Sequence, residues 1–180
     1  KKILKEKTFA DWLGVSTIVG DWTKTYEKGV NRRINDFKKK KFCADEISLD
    51  KKYGVGTTEF SREKGAIAAT LECGLHSNPN SEIIGYNAIL NVLSNLKMIT
   101  KEPSKCSQKQ KRFLSLFEVI DKENPSDSFA KNWSNFDIVD KGFEIAKRAS
   151  GELILAPKRC YIIFPNKNAK PGQEWFYLAE

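Results

Sequence analysis

Lys64–Ile99 reads KGAIAATLECGLHSNPNSEIIGYNAILNVLSNLKMI, and this stretch decides the fold class. Ile67–Leu71 is a continuous apolar run of strand length, the pattern of a strand covered on both faces. Glu72 follows directly, then Cys73-Gly74 and the only histidine, His76. Asn80 or Ser81 caps the next helix, whose apolar stripe is Ile89, Val92, Leu93 and Leu96. A carboxylate straight after a buried strand is costly unless it is paired, exposed at the strand end, or part of a site. Glu72 is therefore a candidate functional group; the plainer alternative is a strand-end carboxylate beside a lysine or arginine.

Upstream, Phe9–Leu13 reads as the end of a helix closed by Gly14, and Val15–Val19 as a short strand. Trp22–Asn31 reads as loop and Arg32–Phe42 as a surface helix. After the Gly54-Val55-Gly56 loop, Thr57 or Thr58 caps a helix that runs to Gly65. Strand and helix alternate, which indicates an α/β fold with a parallel or mixed sheet. The pattern changes at Thr100. Lys101–Arg112 is polar and basic and reads as a linker. Short strands follow at Phe113–Ile120, Phe136–Val139, Gly151–Leu155, Cys160–Phe164 and Trp175–Leu178, punctuated by Pro and Gly. They predict a small β-barrel or sandwich of about 70 residues. Two domains are expected, over residues 1–105 and 106–180.

The apolar fraction of 40% and the aromatic fraction of 11% argue for a globular chain over a disordered one. No apolar run is long enough for a transmembrane helix and no signal-peptide pattern opens the chain, so no membrane partner is expected. Cys43, Cys73, Cys106 and Cys160 are scattered with no C-x-x-C pair, which suits a reduced, cytoplasmic setting and not a zinc ribbon. The net charge of +8 raises the question of nucleic acid. The basic run Lys38–Lys41 lacks the interleaved aromatics of a base-stacking platform, so no nucleic-acid partner is expected. The chain opens Lys-Lys-Ile-Leu without an initiator Met, which points to a piece of a longer polypeptide.

Ala69-Thr70-Leu71-Glu72-Cys73-Gly74-Leu75-His76, with the helix after it, resembles the active-site strand of the succinylglutamate desuccinylase/aspartoacylase family, relatives of zinc carboxypeptidases. Ile18–Trp22 with Thr25-Tyr26-Glu27, and Gly56–Arg62, agree with it. So does the tail, in Gly151–Pro157, Phe164-Pro165-Asn166 and Pro171–Ala179. The resemblance implies that residues 1–105 are the C-terminal part of a carboxypeptidase-like α/β/α catalytic domain. It implies a zinc-dependent amidohydrolase acting on a small N-acyl amino acid, with Glu72 as general base on a zinc-bound water. The family holds zinc by His-x-x-Glu and a later His. This chain has neither the motif nor a second His, so the zinc ligands are expected upstream of Lys1 and no metal ligand is assigned here.

Arg62 falls where a family member's substrate-carboxylate arginine would lie, though an ordinary surface arginine is the alternative. His76 is assigned to substrate contact and not to zinc, for which a lone histidine is a poor site. Cys73 reads as a small core residue, and Asp21 as a turn residue or a border of the site. Lys158 lacks the neighbours of a carrier lysine, so the tail reads as a cover or an interface. A homo-oligomer is compatible with this reading. The isolated 180 residues are expected to be inactive. The alternative is a non-catalytic binding or assembly module that keeps the fold without the zinc half.

Overall fold

The computed structural model describes residues 2–38, 51–74, 77–100, 102 and 111–180. They form a mixed αβ protein. Its helices are α1 (Lys2–Trp12), α2 (Trp22–Lys38), α3 (Thr57–Glu63) and α4 (Ser81–Asn95), with a 3-10 turn at Lys51–Gly54. Its strands are β1 (Thr17–Gly20), β2 (Arg112–Asp121), β3 (Ser128–Phe129), β4 (Ile138–Val139), β5 (Glu144–Lys147), β6 (Leu153–Leu155), β7 (Cys160–Ile163) and β8 (Glu174–Ala179). No helix among the described residues is long and apolar enough to cross a membrane. The chain divides into two compact units, each discontinuous in sequence: Lys1–Ile18 with Val55–Phe113, and Val19–Gly54 with Leu114–Glu180. Residues 19–54 thus group with the tail and not with the stretch that precedes the basic linker.

The second unit is built on two sheets, β1-β2-β8-β7-β4 and β3-β5-β6. The ladders β2/β8, β7/β8, β4/β7, β3/β5 and β5/β6 all run antiparallel. β8 lies between β2 and β7, and its alternation divides two cores. Phe176 and Leu178 join Val139, Ile145, Ile162 and Ala169 on one face. Tyr177 and Ala179 join Leu114, Leu116, Val119 and Ile163 on the other. The register slips between Ile120 opposite Phe176 and Asp121 opposite Glu174. That bulge frees Trp175 from the alternation, and it packs with Phe176 in the first core.

Helix α2 corrects the loop expected at Trp22–Asn31. Its buried stripe is Thr25, Tyr26, Gly29, Val30 and Arg33, and Trp22 stacks on Tyr177 at 4.9 Å. Thr25 Oγ1 donates to the Leu116 carbonyl at 3.0 Å, which fixes the helix on β2. A Cβ at Gly29 would come within 2.7 Å of Val119 Cγ1. Glycine costs helix stability but lets α2 approach the strand.

The first unit holds α1, α3, α4 and the segment 66–74. The strand expected at Ile67–Leu71 is not formed: residues 66–74 are irregular and Ile67 is exposed. No described strand pairs with this segment, and a strand without a ladder leaves its amides to water. The α/β layer with a parallel or mixed sheet expected before residue 100 is therefore not observed among the described residues, whose one strand there is β1. The α4 stripe is only partly covered: Val92 and Leu93 are half-buried, and Ile89 and Leu96 are exposed. Ile89 is 62% exposed, and the buried residues of α4 are Ala88 and Asn91.

Gly29→Ala is expected to lower stability by about 1–3 kcal/mol through overpacking on Val119. Alanine's helix propensity alone would raise it by roughly 1 kcal/mol. Denaturant unfolding of the two proteins decides the sign, and an unchanged or higher midpoint would reject the close contact.

Candidate functional site

In the first unit the N-cap of α3 is Gly56, not Thr57 or Thr58. The Gly56 N–H donates to the Glu59 carboxylate at 3.1 Å. Thr58 is left to exchange a 2.6 Å hydrogen bond with Thr70. Arg62 Nη2 donates to the Ala68 carbonyl at 3.0 Å. The Ala66 N–H donates to the Ser61 carbonyl at 3.0 Å, so three bonds stitch α3 to the segment 66–74, and Glu72 lies two residues beyond Thr70.

Glu72 is exposed, not set at the end of a buried strand. Cys73 is half-buried, and its Sγ is 3.5 Å from where a Gly85 Cβ on α4 would stand. Gly74 takes φ +105°, a left-handed turn that glycine accepts without strain, on the way to α4. Arg62 also pairs with Glu6 at 3.0 Å and with Glu59 at 3.6 Å. His76 lies outside the described residues. Among those described, no group of three or more His, Cys, Asp or Glu side chains could hold a metal ion. The residues described do not supply a zinc site.

The second unit carries a charge cluster that the sequence reading missed. Lys28 Nζ meets Glu118 at 2.6 Å. Arg32 bridges Glu118 at 3.1 Å and Asp121 at 2.8 Å, and donates to the Val119 carbonyl at 2.6 Å. Arg33 pairs with Asp121 at 2.8 Å and with Glu174 at 2.9 Å. Arg33 is 1% exposed and Asp121 3%. Arg33 Nε and Nη2 have no hydrogen-bond partner among the described residues. Burial pushes the Asp121 carboxyl up from its ordinary pKa against the pull of Arg32 and Arg33. Arg32 is also raised: burial lowers it, and Asp121 and Glu118 outweigh burial. The partners differ because Asp121 is the deeper of the two.

Asp127 is a second organising carboxylate. Its oxygens accept from the backbone of Glu123, Asn124 and Ala149 at 2.8, 3.1 and 2.8 Å, and from Arg148 at 3.0 Å. Burial alone would raise its pKa, but these bonds outweigh burial and hold it below the ordinary value.

The remaining sequence candidates fall in structural roles. Asp21 precedes α2, accepts from Ser115 Oγ at 2.5 Å and takes φ +62°. Lys158 pairs with Glu180 and lies over the Phe117 ring, as a surface tie. No protein-family model and no curated protein sequence matches this chain. The Arg32-Arg33 pair was visible in the sequence. Its partners, nearly ninety residues away at Asp121, were not.

Asp121→Asn is expected to cost about 3–5 kcal/mol, because it removes the buried carboxylate that Arg32 and Arg33 share and leaves the buried Arg33 guanidinium only the more exposed Glu174. Urea unfolding measures this, and a loss below 1 kcal/mol would mean that the cluster is solvated. Asp127 also gives an acid limb. A carboxylate with a lowered folded pKa contributes stability above its ordinary value of 3.8, lost as pH falls through the lower folded value. Asp127→Asn is expected to be less stable at neutral pH and to lose less on acidification below that value. Asp121, with its raised pKa, acts in the opposite sense in both proteins, so their difference isolates Asp127. Parallel pH profiles would reject the assignment.

Proposed function

We propose that this chain is the C-terminal part of a cytoplasmic, zinc-dependent hydrolase of the succinylglutamate desuccinylase/aspartoacylase type, cleaving the amide bond of an N-acyl amino acid. The observation that carries the reading is the Glu72-Cys73-Gly74 block, tied to α3 through Ala68 and Thr70 and leading directly into α4. The first unit is then part of a carboxypeptidase-like α/β/α domain. In that domain the segment 66–74 pairs as a strand with neighbours from outside the described residues. The apolar side chains that the unit leaves in solvent support this. Ile83, Tyr86, Ile89 and Leu96 of α4 and its C-cap are exposed, and Met98 is 67% exposed. A globular protein seldom exposes so many large apolar groups on one short stretch without a covering surface.

Glu72 is then the proton carrier. Its carboxylate takes a proton from the attacking water and returns it to the leaving amine. In this class zinc polarises the acyl carbonyl. Its ligands are assigned to chain beyond the described residues. Arg62 is the candidate clamp for a substrate carboxylate, which has to displace Glu6 and Glu59 from the guanidinium. His76 is the candidate for a further substrate contact.

The test uses the longest polypeptide that contains this chain, assayed on N-succinyl and N-acetyl amino acids. Glu72→Gln is expected to keep its zinc content and to lose turnover by about 10²–10⁴-fold. Wild-type turnover in that variant refutes the role of Glu72. If the wild-type polypeptide hydrolyses none of these substrates, the reading falls, and the non-catalytic binding or assembly module takes its place.

A further inference from the structure

The second unit contains an open cavity of about 460 Å³ lined by Lys122, Lys131, Lys167, Asp127, Ser128 and Trp175, among others. Lys122 is the unusual member. It is 8% exposed, and its Nζ lies 5.7 Å from the centre of the Trp175 ring. Among the described residues it makes no ion pair, and neither do Lys131 and Lys167. A lysine buried to this degree is almost always paired. The carboxylate in the cavity wall, Asp127, does not serve. Its oxygens are already taken by three backbone amides and by Arg148. The neighbouring Glu123 is paired with Arg148 at 3.1 Å. Three lysines without an ion pair among the described residues therefore line one space, whose one carboxylate is committed to Arg148; the Lys131 ammonium lies over the Trp133 ring at 4.2 Å. Ser128 offers a hydroxyl there. The Nε1 of Trp175, another lining residue, is buried without a partner among the described residues.

We infer that this cavity binds a small, doubly charged oxyanion of the phosphate class. The burial of Lys122 without a counter-charge is the feature that requires one. Three point charges favour a dianion over a monocarboxylate, because each ammonium adds its own attraction at short range. Lysine suits a tetrahedral oxyanion, since it acts as a point charge with freely turning donors. The cavity volume falls in the range of small-molecule sites, so the phosphate group can carry an organic substituent. The site lies wholly in the second unit and does not depend on Glu72 or on any hydrolase reading.

Calorimetric titration of the full chain with inorganic phosphate at pH 8, at constant ionic strength, tests the inference. Saturable one-to-one binding is expected, with acetate at least tenfold weaker. Lys131→Gln with Lys167→Gln alters two exposed side chains, and the pair is expected to weaken phosphate at least tenfold. Lys122→Met is expected to abolish binding. Lys24→Gln, an exposed lysine outside the cavity, is the control and should leave affinity unchanged. The absence of saturable phosphate binding overturns the inference. So does an affinity that the double variant leaves intact, or one that falls as much in Lys24→Gln.

Discussion

The Asp121 carboxylate, at the end of β2, is the constraint on which the second unit depends. Arg33 reaches one of its oxygens from α2 and Arg32 the other, and Glu174 at the start of β8 shares Arg33. Helix, strand end and bulge are therefore held by one shared charge. The arrangement is costly in solvation terms, since an apolar replacement of the same shape is often as stable as a buried ion pair. It gives position. A helix with Thr25 and Gly29 in its buried stripe has too little apolar area to fix its own place on the sheet. The geometry of the guanidiniums supplies what the stripe lacks.

The same stripe explains what could be read from the sequence and what could not. The strands of the tail were legible because Ala-Pro-Lys, Pro-Asn-Lys-Asn and Pro-Gly break them and their side chains alternate toward two cores. Strand β5 escaped because it is short and charged at both ends, and β3 because it is only two residues long. Helix α2 read as loop because Thr25, Gly29 and Arg33 occupy positions that a periodicity search expects to be apolar. Ile67–Leu71 failed in the other direction. Its composition is that of a buried strand, but a strand is defined by its partners, and no described strand lies beside it.

At the level of chemistry the contrast repeats. Glu72 and Arg62 stood out because local sequence carried the resemblance, and α3 does meet the segment that leads to Glu72. The cavity of Lys122, Lys131 and Lys167 was illegible. Each lysine alone reads as solvated surface, and only the turn of the chain after β2 and the approach of the β7–β8 connection bring them together. What marks the site is a missing partner, and a missing partner has no signature in a linear string.

The interleaving of the two units has a kinetic consequence. Arg33 and Asp121 are 88 residues apart, with most of the first unit between them. Closing a loop of that length costs on the order of 4 kcal/mol in chain entropy before any contact repays it. During synthesis α2 emerges long before the strands that cover it, and Tyr26, Val30 and Arg33 must wait in solvent or on a chaperone. Topology of this kind slows folding and lengthens the exposure of apolar side chains. The +8 charge of the chain opposes association at that stage, because like-charged chains repel one another.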